Sequence, residues 1–428
     1  MHVGYTPEQE KLRQELRAYF AALMTPDLRA ALTDDDGEYG DGEAYRAVVR
    51  RLGHDGWLAL GWPVEHGGRG RSRLDQLIFA DEAAMAGVPV PFLTIDTVGP
   101  TIARHGSGQQ RAELLPRIAA GEVHFSIGYS EPEAGTDLAA LRTRAVRDGD
   151  HYVINGQKMW TSLIRYADYV WLACRTDPSA ERHRGLSILV VPTDAPGFSW
   201  TPVRTVAGPT TSATYYTDVR VPVAARVGAE NEGWRLITDQ LNHERVALTS
   251  AAPLRRALDE VTAWAVETGA IEREWVRLHL ARVHAKTEVL KLLNWRVAAS
   301  ADADARVAAG PASGPGAAGA PRADAGGGAA PGPASRGRPA FGTDGLSAAV
   351  RASAGKVYGT ELAVEAYRLL MEVLGPAATV RAGSPGALLQ GRIERMHRAS
   401  LILTFGGGAN EVQRDIIAAG ALGLPVKR

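Results

Sequence analysis

Three short stretches of this sequence bring together residue types that could bind and transform a polar ligand. GYSEPEAGTDLAAL, residues 128–141, is rich in turn formers, and the hydroxyls of Ser130 and Thr136 flank its Pro-Glu-Ala-Gly turn. Backbone N–H groups and two hydroxyls can therefore face one ligand there, although loops of this kind are common. Trp160, Thr161 and Ser162 follow at the end of a β-prone run, a large flat side chain beside two hydroxyls. Such a set suits a planar cofactor ring, which needs a wall and donors at its reactive edge; a core tryptophan with polar strand-end neighbours is the plainer reading. Further on, Trp234, Ile237, Leu241, Glu244 and Leu248 step by three and four, which puts a carboxylate on the apolar stripe of a helix. Burial there raises a carboxyl pKa and suits it to taking a proton; pairing with Arg245 or with a neighbouring helix is the structural alternative.

The elements that must position these residues change character twice along the chain. From Thr6 to about Ile118 the apolar spacing is helical, and TPEQEKLRQELRAYFAAL is expected to open with Thr6 as cap and a Glu completing the capping box. After Glu122 the pattern becomes β-prone. HYVINGQKMWTS is expected to form two strands joined at Asn155-Gly156, a strong hairpin signal, and YVWLACRT, GLSILVVPTD and ATYYTDVRVP read as further strands. Helical spacing returns at Gly233. The expectation is an α+β architecture: an N-terminal helical domain over 1–122, a middle β domain over 123–230, and a C-terminal helical bundle over 231–428. Between about 301 and 345 the sequence collapses to Ala, Gly and Pro, with too little apolar side chain to repay ordering, and is expected to be a mobile insertion.

Composition narrows the functional classes. Lys plus Arg and Asp plus Glu each number 48, so no overall field collects nucleic acid or an anionic membrane. The single cysteine, Cys174, sits in the apolar run YVWLAC and reads as a core residue in a reducing compartment. The first residues carry charges where a secretion signal needs an apolar core, no run reaches membrane-spanning length, and no metal site is evident; a cytoplasmic protein is expected.

Taken together, YSEPEAGTDLAAL, DGDHYVINGQKMWTS, PGFSW, DVRVP, GAENEGW, LNHERVAL and the closing FGGGANEVQRDIIAAGALGLP resemble the acyl-CoA dehydrogenase family in order and spacing, as does WLALGWPVEHGGRGRS upstream. The resemblance covers nearly the whole chain outside the Ala/Gly/Pro stretch. It implies FAD, a fatty, branched or polycyclic acyl thioester of CoA, electron transfer to an electron-transfer flavoprotein, and a homodimer or tetramer with FAD near a subunit boundary. It places Tyr129, Ser130, Gly135, Thr136, Trp160, Ser162 and Gly408 around the flavin, and Thr136 and Arg245 at the substrate. The family reaction takes a proton from the carbon alpha to the thioester carbonyl while the beta carbon passes hydride to the flavin; a weak carbon acid needs a carboxylate base and donors for the enolate-like oxygen.

The sequence departs from the family pattern at three places. Many members carry the base as a Glu in the C-terminal glycine-rich turn, where this chain has Gly407, and Glu411 is displaced by four residues. Resemblance to the isovaleryl- and long-chain-type members instead assigns the base to Glu244, followed by Arg245; Gly407 keeps a backbone N–H for the thioester oxygen and leaves space for a bulky acyl group. The usual Arg-Xaa-Xaa-Phe-Gly stretch is replaced by ETGAIEREWVRLHLA, and the Gln-Xaa-Leu-Gly-Gly stretch reads Glu372-Val373-Leu374-Gly375-Pro376. A carboxylate near a pyrophosphate repels it, and proline lacks an N–H. Similar losses occur in actinobacterial members that form mixed oligomers. Two rivals therefore stand beside the dehydrogenase reading: a non-catalytic partner subunit of such an oligomer, and a flavin monooxygenase on the same fold.

Overall fold

The computed structural model describes residues 4–32, 42–208, 210–247, 249–309 and 346–425, giving the backbone alone for 242–247 and 301–309. Six helices come first: α1 (Pro7–Leu23), α2 (Pro26–Ala31), α3 (Gly42–His54), α4 (Arg73–Ala86), α5 (Gly99–His105) and α6 (Gly108–Ala119). Thr6 caps α1 as its position implies, but the capping box is closed by Gln9, the residue three positions on, and not by a Glu. Leu12, Leu16 and Phe20, four apart, bury one face of α1 against α4. Arg13 and Arg17 clamp the same two helices, reaching the buried Glu82 of α4 at 2.8 and 2.7 Å.

Eight strands follow: β1 (Phe125–Gly128), β2 (Arg144–Asp148), β3 (His151–Lys158), β4 (Tyr169–Arg175), β5 (Leu186–Pro192), β6 (Phe198–Arg204), β7 (Thr210–Pro222) and β8 (Arg226–Val227). They form one sheet in the order β6-β7-β3-β2-β4-β5-β8, with β1 added parallel to β4. The period of two is plain in β4. Trp171 and Ala173 join the core shared with the N-terminal helices, while Val170, Leu172 and Cys174 pack on the opposite face. Cys174 is free and fully buried, as its apolar surroundings imply.

The hairpin expected at Asn155-Gly156 is not there. β3 runs straight through both residues, the reversal lies at Gly149-Asp150 between β2 and β3, and position 155–156 is a bulge in the pairing of β3 with β7. Gly156 is required for close approach: a Cβ there would lie 2.5 Å from Thr143 Oγ1. The Asn155 side chain bridges across instead, donating to Asp218 Oδ1 at 2.9 Å and accepting from the Asp218 N–H at 3.1 Å.

The C-terminal part contains α7 (Gly233–Ala247), α8 (Ala252–Glu267), α9 (Glu274–Ala309), α10 (Ala348–Leu374), α11 (Arg392–Ser400) and α12 (Asn410–Leu422). α10 is the central member, packing against α7, α8, α9, α11 and α12. Residues 310–345, which hold most of the Ala/Gly/Pro stretch, lie outside the described residues. Among the described residues no helix is long and apolar enough to cross a membrane.

His124, just before β1, is buried, and among the described residues neither ring nitrogen has a hydrogen-bond partner. Burial, helped by the nearby Arg46 and opposed by Asp168, pushes its imidazole down to about 4. The unfolded chain takes up this proton near the ordinary histidine value while the folded chain stays neutral. Stability is therefore lost as pH falls from about 6.5 towards 4, by roughly 3 kcal/mol in full. His124→Leu should flatten this part of the profile, so that urea midpoints of the two proteins converge or cross as pH falls from 7 to 5; parallel midpoints would contradict it.

Candidate functional site

The loop after β1 is built on a buried ion pair. Glu131 and Ala134 exchange backbone hydrogen bonds at 3.0 and 3.1 Å, which makes a tight turn with Pro132 and Glu133 at its tip. The Glu131 carboxylate turns inward and accepts from the N–H groups of Arg142 and Thr143 at 2.7 and 2.8 Å and from Lys158 Nζ at 2.8 Å. Lys158, fully buried on β3, also donates to the Tyr129 carbonyl at 2.9 Å. Burial alone would raise the Glu131 carboxyl pKa, but Lys158 and the N–H donors together hold it below its ordinary value. This pair pins the segment that carries Ser130, Gly135 and Thr136. Ser130 is half-buried, whereas Gly135 and Thr136 are exposed, and nothing would obstruct a Cβ on Gly135.

The turn after β3 stands beside that loop, because the Met159 N–H donates to the Ser130 carbonyl at 2.8 Å. Trp160 and Leu163 both have left-handed backbones, with φ of 63° and 64°. Non-glycine residues in that region cost about 1–3 kcal/mol each and persist where the surroundings over-determine them. Here the Thr161 N–H donates to the Ser212 carbonyl at 2.9 Å, the Ser162 and Thr211 hydroxyls lie 3.1 Å apart, and Ser126 Oγ donates to the Ser162 carbonyl. The backbone of the turn is thus fixed by its neighbours, and the indole it carries faces outward: Trp160 is 54% exposed.

α7 is tied to the Ser130 loop through Tyr129. The Tyr129 hydroxyl donates to Gln240 Oε1 on α7 and accepts from the indole N–H of the fully buried Trp171 at 3.0 Å. Tyr129 thus uses its hydroxyl as a brace between β1 and α7. From α5, Arg104 and His105 reach Asp239 at 2.8 and 3.2 Å. Position 244 falls one helical turn beyond Gln240 on the same face of α7. The side chains of Glu244 and Arg245 lie outside the described residues, as does Leu248. A π-helical segment, Leu93–Val98, also packs on α7, and burial pushes the carboxyl of its Asp96 up to about 6, with Arg73 pulling the other way.

At the C-terminal end, Gly406, Gly407 and Gly408 link a short 3-10 turn to α12. Gly407 and Gly408 have φ of 65° and 98°, and a Cβ on Gly408 would lie 2.8 Å from Gln413 Nε2. Gln413 is fully buried. Its Oε1 accepts from Ser353 Oγ at 2.9 Å, and its Nε2 has no hydrogen-bond partner among the described residues. Glu411 is exposed in the first turn of α12. Glu372, near the end of α10, is held within the chain by Arg368 at 2.6 Å, and the His279 Nε2 lies 2.8 Å from its carboxylate.

The structure therefore brings the Ser130 loop, the Trp160 turn and α7 together through the Met159–Ser130 and Tyr129–Gln240 contacts. An outward indole on a strained, over-determined turn, beside half-buried hydroxyls, fits the FAD that the resemblance implies. Sequence reasoning missed the residues that hold these parts: Glu131, Lys158, Trp171 and Gln240. Charged residues inside otherwise apolar or turn-forming runs, SEPEAG and INGQKMW, were the available signal for the first two.

Comparison with known proteins matches three models in series: acyl-CoA dehydrogenase N-terminal domain over residues 6–122, middle domain over 126–219, and C-terminal domain over 231–316 and 337–422. Acyl-CoA dehydrogenase FadE26 of Mycobacterium tuberculosis is 63% identical over 434 residues, covering 99% of each chain. FadE29 of the same organism is 45% identical, again over 99% of each. Among solved structures, the ChsE4-ChsE5 complex from Mycobacterium tuberculosis contains a chain 60% identical with a TM-score of 0.83, and the Tcur3481-Tcur3483 steroid ACAD one 44% identical with a TM-score of 0.85; both cover 100% of each chain. With all three domains of one family matched in order along a single chain, and relatives of this identity over its full length, the protein belongs to the acyl-CoA dehydrogenases, flavin-dependent oxidoreductases.

Proposed function

We propose that this protein introduces an α,β double bond into an acyl-CoA thioester with FAD as cofactor and Glu244 as base. The observation that carries the reading is the convergence of the Ser130 loop, the Trp160 turn and α7, joined by the Met159–Ser130 and Tyr129–Gln240 contacts. Trp160 walls the flavin ring and keeps water from it, Ser162 and Ser130 supply donors at its edge, and Gly135, Thr136, Tyr129 and Gly408 complete its surroundings. FAD, when bound, supplies the acceptor for the hydride that leaves the beta carbon. Glu244 takes the alpha proton, and the N–H of Gly407 holds the thioester oxygen while charge builds on it. Arg245 and Thr136 orient the CoA portion, and an electron-transfer flavoprotein takes the electrons onward.

The missing side chain at 407 leaves room beside the alpha carbon, and a 44% identical chain belongs to an assembly named a steroid ACAD. Both support a branched or polycyclic acyl group. A panel of straight, branched and polycyclic acyl-CoAs with an artificial electron acceptor tests this; turnover is expected with the bulky members, and none with any member would overturn the reading.

A mixed oligomer is the second part of the proposal. Glu372 and Pro376 stand where family members reach FAD across a subunit boundary, and two of the most similar solved chains come from two-component assemblies. Flavin content of the protein expressed alone and with a partner chain distinguishes self-sufficient from shared sites. Trp160→Ala should release FAD or shift its spectrum in whichever assembly binds it, whereas an unaltered spectrum at full occupancy would contradict the wall assignment.

A further inference from the structure

Three consecutive glycines make a poor support for a reaction centre, because each can adopt many backbone conformations. One buried side chain holds this turn from behind. Lys356, in the first half of α10 and fully buried, donates from Nζ to the Gly408 carbonyl at 2.6 Å, to Asn410 Oδ1 at 2.9 Å and to the Thr404 carbonyl at 3.4 Å. These acceptors lie before the glycines, at their last member, and at the first residue of α12. The three donors of an ammonium match a set of this shape, and a neutral side chain of the same length would not.

The same helix fixes the segment that follows α7. Gly359, one turn beyond Lys356, packs so closely that a Cβ would lie 2.9 Å from Thr249 Cβ and 3.0 Å from Leu290 Cδ1. From the other side, Asn294 Nδ2 donates to the Thr249 carbonyl at 2.8 Å. Positions 356 and 359 are neighbours on one helix face. α10 therefore sets the glycine-rich turn in register with the end of α7.

We propose that Lys356 is a positioning residue for the reaction. It locks the Thr404–Gly408 turn so that the N–H of Gly407 meets the thioester oxygen, and its charge lies behind the turn on the side that favours a developing oxyanion. The assignment rests on the function proposed above.

The test uses flavin-loaded protein, with any partner chain that flavin binding requires. Acetoacetyl-CoA serves as probe, since the ultraviolet band of its enolate reports how well the turn stabilises negative oxygen. Lys356→Met is expected to lower kcat about 10- to 100-fold with KM moved less than about threefold, as for loss of a transition-state interaction. It should also raise the pKa of bound acetoacetyl-CoA by about one unit, the equivalent of roughly tenfold weaker enolate stabilisation. Lys356→Arg should restore part of both. If Lys356→Met does not fold, Asn410→Ala removes one acceptor and should shift the enolate pKa in the same direction by less. An unchanged enolate pKa in folded Lys356→Met, or in Asn410→Ala when it stands in, overturns the assignment. Failure of the wild-type protein to bind or enolise acetoacetyl-CoA overturns the functional reading, and the assignment with it.

Discussion

Glu244→Gln is expected to bind flavin and acyl-CoA normally and to reduce the flavin about 10²–10⁴-fold more slowly than wild type, the usual contribution of a positioned base. The substitution keeps shape and hydrogen-bonding capacity and removes only basicity. The size of the effect follows from the substrate, because an alpha C–H is a very weak acid and does not ionise without a base. Gly407 has no side chain to offer, and Glu411 projects from the exposed first turn of α12. Stopped-flow reduction with a substrate identified from the acyl-CoA panel measures the loss. A wild-type rate would show that the proton leaves through another group or through a partner subunit.

The second large effect concerns stability. Lys158→Met should cost about 3–5 kcal/mol, since it leaves the Glu131 carboxylate buried and unpaired. The loop that carries Ser130 should loosen at the same time. Combining it with Glu131→Gln should recover part of the loss by removing the stranded charge, a non-additivity expected of partners in contact. Thermal unfolding of the two single variants and the double variant measures it. A double variant as unstable as the sum of the singles would show that the pair does not act as a unit.

Much of the architecture was legible because its signals are local. The switch from helical spacing to β-prone runs after Glu122 and back at Gly233 corresponds to strands running from Phe125 to Val227 and helices on either side. Cys174 in its apolar run is buried in the sheet. Asn155-Gly156 misled because the same dipeptide that suits a hairpin turn also suits a bulge. What decided between them was the approach of Thr143, a contact made across the sheet. Tyr129 shows the same limit: the sequence places it in a turn-rich motif but cannot show that its hydroxyl is taken up by Gln240, 111 residues away. Glu131 with Lys158, and Lys356 with the glycine-rich turn, are buried charges whose partners are likewise distant in sequence, so the residue types were visible and their pairing was not.

The most direct test of the dehydrogenase reading is a single anaerobic turnover. Flavin-loaded wild-type protein, in whichever assembly holds the cofactor, is mixed with one equivalent of a branched or polycyclic acyl-CoA; flavin absorbance and thioester mass are then followed together. The flavin is expected to bleach in step with loss of two hydrogens from the acyl group and formation of the α,β-enoyl thioester. Flavin that stays oxidised with every acyl-CoA in the panel, or that is reduced only by a nicotinamide while the thioester is unchanged, would contradict it.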